Sequence, residues 1–197
     1  MSLASDLLDQ ASTLAGLDPM KPKQASLRRA ISAAYYSVFH LLIDDGARRI
    51  TANTMLQPYI ARSFQHTSVK DAANKVIEQS KVTPPWPAPL FTVAIEPELI
   101  RVCTTFVDLQ SLRHSADYNT AVSFKRAEVV AAISRAQAAH QDWALLRSSD
   151  NATVFLLHSF CKAIASKIIS LVLIVHRLNY PTRPCTRAAT GKFLSTS

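Results

Sequence analysis

The sequence predicts an all-α protein, an up-and-down bundle of four to six helices followed by an amphipathic C-terminal helix. Three observations lead there. Only three glycines occur in 197 residues, while Ala and Leu are abundant. Alternating β-branched runs are nearly absent, whereas apolar residues recur at three- and four-residue steps over long stretches. A chain of this length can bury one sizeable core and is short for two.

Taken in order, Ser2 is placed to cap a first helix with an apolar face of Leu3, Leu7, Ala11 and Leu14, ending at Gly16. Residues 17–23, with Pro19 and Pro22, form a connector. A long second helix spans about 24–45 and is expected to stop at Gly46. Met55, Leu56, Tyr59 and Ile60 mark a short third element in which Pro58 fits only a first turn. Ser68-Val-Lys-Asp71 resembles a capping box that opens a helix to about Ser80. Thr83-Pro-Pro-Trp-Pro-Ala-Pro89 cannot be helical and is expected to be an extended loop. Leu99, Val102, Phe106, Leu109 and Leu112 give a helix over about 97–118 its core face. Ser123 is placed to cap a final long helix through Leu146.

Composition changes after residue 150. All 14 acidic residues lie in 1–150, beside 16 of the 22 Lys and Arg, so this part carries +2 and the remainder +6 of the net +8. The division expected is therefore a helical domain over 1–150, a basic amphipathic helix over 151–178 and a disordered tail over 179–197. Lys162 and Lys167 interrupt the apolar stretch Val154–Val175 and would each cost about 2.5–3.5 kcal/mol at a bilayer centre. The unbroken run 168–175 falls far short of the roughly 20 residues a span needs. That favours docking on the bundle or on a partner over a membrane. The polar, acidic N-terminal stretch with Asp6 and Asp9 is not expected to be a secretory signal, and three isolated cysteines lack metal-ligand spacing. A reducing cytoplasm is the expected location, with no metal and no cofactor. A phosphate-binding glycine loop, a zinc-binding helix motif and a nucleophile elbow are all missing.

Two segments carry polar residues that a plain core helix does not need. In Leu27–Leu42, Arg29, Ala33, Tyr36 and His40 fall within roughly 60° on a helical wheel, opposite Ile31, Tyr35, Val38, Phe39 and Leu42. Tyr36 and His40 fit either a shared polar site or satisfied core positions. In Phe106–Asn119, Arg113 and Asp117 are i, i+4 neighbours, and His114 has Asp117 at i+3 and Tyr118 at i+4. Asp117 is thus in reach of the guanidinium or the imidazole. The group also fits an ordinary ion pair near a helix end, contributing about 0.3–0.5 kcal/mol.

Both segments resemble the HEPN superfamily of small helical domains, over roughly residues 5–147. The likeness rests on Arg28-Arg29-Ala30, Ser32, Ala34-Tyr35-Tyr36 and Phe39-His40, then on Arg113 and Ala116-Asp117-Tyr118. Such domains include ribonucleases, toxins of toxin–antitoxin pairs, nucleotide binders and non-catalytic interaction modules. The resemblance implies a homodimer, an RNA or nucleotide ligand, or a nucleotidyltransferase-like antitoxin partner. For a metal-independent endoribonuclease it implies Arg113 on the phosphate, His114 or His40 as acid/base and Asp117 orienting the histidine, with Arg29, Tyr36 and Tyr118 in binding roles. Family ribonucleases place a His four to six residues after an Arg at the start of a late helix. Here that position reads Arg113-His114, and the matching spacing, Arg135 to His140, falls mid-helix. A binding module is the reading expected first.

Overall fold

A computed structural model describes residues 2–81 and 94–179, with 170–179 as helical backbone. All regular structure among the described residues is helical: α1 (Leu3–Gly16), α2 (Gln24–Ile50), α3 (Gln57–Ala61), α4 (His66–Gln79), α5 (Pro97–Tyr118), α6 (Arg126–Leu145) and α7 (Asp150–Asn179). The all-α class is as expected. The loop expected at 83–89 and the tail expected at 179–197 lie outside the described residues, apart from Asn179 at the end of α7.

Ser2 caps α1 reciprocally. Its hydroxyl accepts from the Ser5 amide, and its own amide donates to Ser5 Oγ. The buried face of α1 matches the expected one in part: Ala11 is buried and Leu14 packs against the core, but the face is made mainly by alanines. Ala4, Ala11 and Ala15 are buried and Leu3 is exposed, because small residues let α1 lie close along α2. The connector is then pinned from across the bundle. Arg126 donates to the carbonyls of Leu17, Asp18 and Pro19, and Asp18 adopts a left-handed conformation with φ 52°.

Helix α2 does not stop at Gly46 but continues to Ile50. Gly46 serves packing instead, since a Cβ there would meet Phe64 Cζ at 2.7 Å. The central helix buries Leu27, Ile31, Tyr35, Val38 and Leu42 against Leu99, Phe106 and Leu109 of α5 and Val129, Ala132 and Ile133 of α6. Pro58 stands in the first turn of α3 as expected. Helix α4 starts at His66, so Ser68 is not its cap but a buried residue inside the first turns. Helix α5 matches its expected limits, with Pro97 at its start. Helix α6 begins after Lys125 rather than Ser123, and Glu128 Oε2 accepts from the Lys125 amide at 3.0 Å.

The first compact unit runs Met1–Ile164, and a second begins at Ala165. The start of α7 therefore belongs to the bundle, with Ala152, Phe155, Leu156, Ser159 and Ala163 buried. Arg49 fastens it. The guanidinium donates to the carbonyls of Leu146 and Ser149 and to Thr153 Oγ1, while Asp45 holds its Nε at 2.9 Å. Glu96 adds a second tie by accepting from Ser149 Oγ at 2.7 Å and Asn151 Nδ2 at 2.9 Å. Lys162 reaches Asp71 of α4 at 2.9 Å. Among the described residues, Asp150–Ile169 is the one stretch long and apolar enough to cross a membrane, and 28% of an 18-residue window in it is buried within the protein.

Candidate functional site

Helix geometry lays out the site. Ser32, Tyr36, His40, Asp44 and Arg48 stand at successive i+4 positions on α2 and form one polar stripe. Helix α5 brings Arg113 and Asp117 against the start of that stripe, and α4 brings His66 against its middle.

The anchor is Asp117. One carboxylate oxygen accepts from Ser32 Oγ at 2.7 Å, and the other accepts from Arg113 Nε at 2.9 Å. The Arg113 and Asp117 side chains are only 20% and 22% exposed. Arg113 lies over the rings of Tyr36 and Tyr35, 5.0 and 5.5 Å from their centroids. Cation–π contact and the Asp117 bond together fix the guanidinium plane. Both terminal nitrogens of Arg113 make no hydrogen bond among the described residues. Asp117 thus orients the guanidinium and not the His114 imidazole, since both its oxygens are engaged elsewhere.

Behind Arg113 sits an aromatic cluster. Tyr35 is fully buried, and its hydroxyl shares a 2.7 Å hydrogen bond with His66 Nδ1. The His66 ring lies 3.9 Å from that of Phe39 and 5.7 Å from that of Tyr36. His40 is 6.5 Å from Tyr36, centroid to centroid. Burial pushes the His66 imidazole below its ordinary pKa, and the charge of Arg113 and the neighbouring His40 push the same way. Burial likewise lowers His40, with Asp44 opposing. The Tyr35 hydroxyl is raised by burial, partly offset by Arg113. A held cation, a partly exposed tyrosine and two imidazoles biased toward neutrality therefore share one patch.

Other predicted residues make no hydrogen bond, ion pair or ring contact with that patch among the described residues. His114 is exposed and packs its ring 5.0 Å from that of Tyr118, which is 68% exposed. Arg29 is exposed and forms no ion pair or hydrogen bond among the described residues. Its neighbour Arg28 does the structural work, donating to the carbonyls of Ala116, Asn119 and Val122 where α5 ends. Arg135 pairs with Asp108 at 3.6 Å, whereas His140 is bonded to the Ser37 backbone. These two form no common site. His66 is the residue that the periodicity reading missed, because a lone histidine at a helix start carries no pattern. Its placement beside Tyr35 and Tyr36 comes only from the packing of α4 on α2.

Among the described residues, no three His, Cys, Asp or Glu side chains gather in a group that could hold a metal ion. Comparison with protein-family models, curated proteins and solved structures returns no match.

Proposed function

We propose that the chain is a HEPN-like RNA- or nucleotide-binding module, of the kind that serves in a toxin–antitoxin or defence pair. It would act as a homodimer or with a cognate protein such as a nucleotidyltransferase-like antitoxin. The observation carrying this reading is Arg113. A guanidinium oriented by Asp117, stacked on Tyr36 and left with both terminal nitrogens unbonded is prepared for an oxyanion. Tyr36 and the exposed Tyr118 offer ring faces to a base.

Titration of a fluorescent oligoribonucleotide with the full chain tests it. Arg113→Ala should weaken binding about tenfold or more, the loss expected for a charge-assisted bond. Arg113→Lys should recover little of it, because a point charge does not reproduce the fork. Equal affinity for wild type and Arg113→Ala sinks the reading.

A metal-independent endoribonuclease is the second reading. It is favoured by the two imidazoles His40 and His66, biased toward their neutral forms beside a cation. Cleavage of structured RNA in EDTA, abolished by Arg113→Ala, would promote it over the first. Substitution of His114, the acid/base candidate of the family likeness, belongs in the same experiment.

A further inference from the structure

We propose that the patch around Tyr36 recognises a terminal phosphate, that is a phosphomonoester, in preference to the phosphodiesters of an RNA backbone. The proposal rests on the reading of the preceding subsection and names the ligand group that the site takes. A phosphodiester offers two unbridged oxygens and one negative charge. A phosphomonoester offers three oxygens and about −1.5 to −2 charge at pH 7. Arg113 alone suffices for the former, since its two terminal nitrogens can hold two oxygens side by side. The patch carries more than that.

Three further groups stand around the same Tyr36 ring with polar atoms unbonded among the described residues. His66 has its Nδ1 committed to Tyr35, which fixes the ring and leaves Nε2. His40 stands 6.5 Å away, ring to ring. The third is the Tyr36 hydroxyl itself. One pinned guanidinium, two imidazoles and a phenol, supplied by α2, α4 and α5, exceed the needs of a monoanion. They match a third oxygen and a second charge.

The electrostatics point the same way. His66 faces Tyr35, Tyr36 and His40 from α2 and Arg113 from α5, while Asp44 lies beside His40 and Asp117 is taken up by Arg113 and Ser32. Without a ligand, burial and Arg113 oppose a proton on His66. A dianion seated against Arg113 reverses the sign of that local potential and makes the imidazolium favourable.

The test uses the full chain and two short oligoadenylates identical except for a 5′-phosphate or a 5′-hydroxyl. The expected result is about tenfold tighter binding of the phosphorylated strand, the scale of one added charge-assisted contact. His66→Gln should erase most of that preference, read as the ratio of the two affinities, and an unchanged ratio counts against the proposal. A thermal melt checks that this variant folds. Should it not fold, competition against the wild-type complex with the hydroxyl strand decides instead: methyl phosphate displacing it about tenfold better than dimethyl phosphate supports the proposal, and equal displacement overturns it. Adenosine 5′-monophosphate then separates the two sources of the group, since strong competition assigns free nucleotide and weak competition assigns a strand end. Equal affinity for the two strands, both dependent on Arg113, overturns this proposal and leaves the binding module standing. If neither strand binds, both readings fall.

Discussion

Two adjacent arginines should behave oppositely. Arg28 donates to the Ala116 carbonyl at 2.6 Å, the Asn119 carbonyl at 3.0 Å and the Val122 carbonyl, and its guanidinium stands 5.5 Å from the Phe124 ring. The last turn of α5 leaves carbonyls without intrahelical partners, and Arg28 supplies their donors together with a cation at the negative end of the helix. Hydrogen bonds to a charged group are worth about 1.5–3 kcal/mol each when buried. With one of the three at the exposed edge and the set sharing one side chain, Arg28→Ala should cost about 3 kcal/mol in all. Arg29→Ala removes an exposed side chain and should stay within about 0.5 kcal/mol. Urea unfolding followed by circular dichroism reads both. With a slope of about 2 kcal/mol/M, the Arg28 variant should lose about 1.5 M in midpoint and the Arg29 variant almost nothing. Arg28→Lys should fall between, since one ammonium cannot span three carbonyls. Equal midpoints for the two alanine variants would refute the clamp.

Gly46→Ala gains about 1 kcal/mol in helix propensity but drives a methyl into the buried ring of Phe64, which is itself packed 5.4 Å from Phe160. The net expectation is a loss of about 1–2 kcal/mol, relieved when Phe64→Leu is added; additive melting shifts would contradict it. Acid should also weaken the fold. Burial lowers the pKa of His40, His66, His140 and His158 in the folded protein, aided at His158 by Lys75 and Lys162 and opposed at His140 by its Ser37 bond. The unfolded chain thus binds protons first, so stability present above about pH 6.5 declines as pH falls below it. Asp44, raised by burial, opposes this at lower pH. Melting temperatures at neutral and mildly acidic pH check the sign, and a rise on acidification would contradict it. Arg49→Ala should release the start of α7, seen as faster amide exchange over 150–164 with little change in α4.

Local rules read parts of this chain well and failed where packing decides. Helix α5 was legible to the residue, because Pro97 marks its first turn and its apolar spacing is regular. Gly46 was misread as a helix stop, since a glycine that ends a helix and one that admits a neighbouring ring look alike in sequence. Ser68 mimics a cap and Lys125 does not, yet α4 and α6 start where tertiary contacts let them. The wheel placed Arg29 with Tyr36 and His40, but it holds no information on where α5 ends, and that end selects Arg28. The Arg113–Asp117 pair was one of two open alternatives, settled by Ser32 taking the other oxygen. His66 belongs to the site through packing alone.

Arg49 and Glu96 bear on how this chain should be divided for experiments. The shift from balanced to purely basic composition invites a cut after residue 150, yet the polypeptide crosses that point tied on both sides, with Leu146, Ser149 and Thr153 bonded to Arg49 of α2 and Ser149 and Asn151 bonded to Glu96 just ahead of α5. A fragment ending there would strip Phe155 from Trp143 and Phe160 from Phe64, leaving two aromatic rings against solvent. Such a fragment should aggregate or melt early. Where charge changes along a polypeptide, the folded unit need not end.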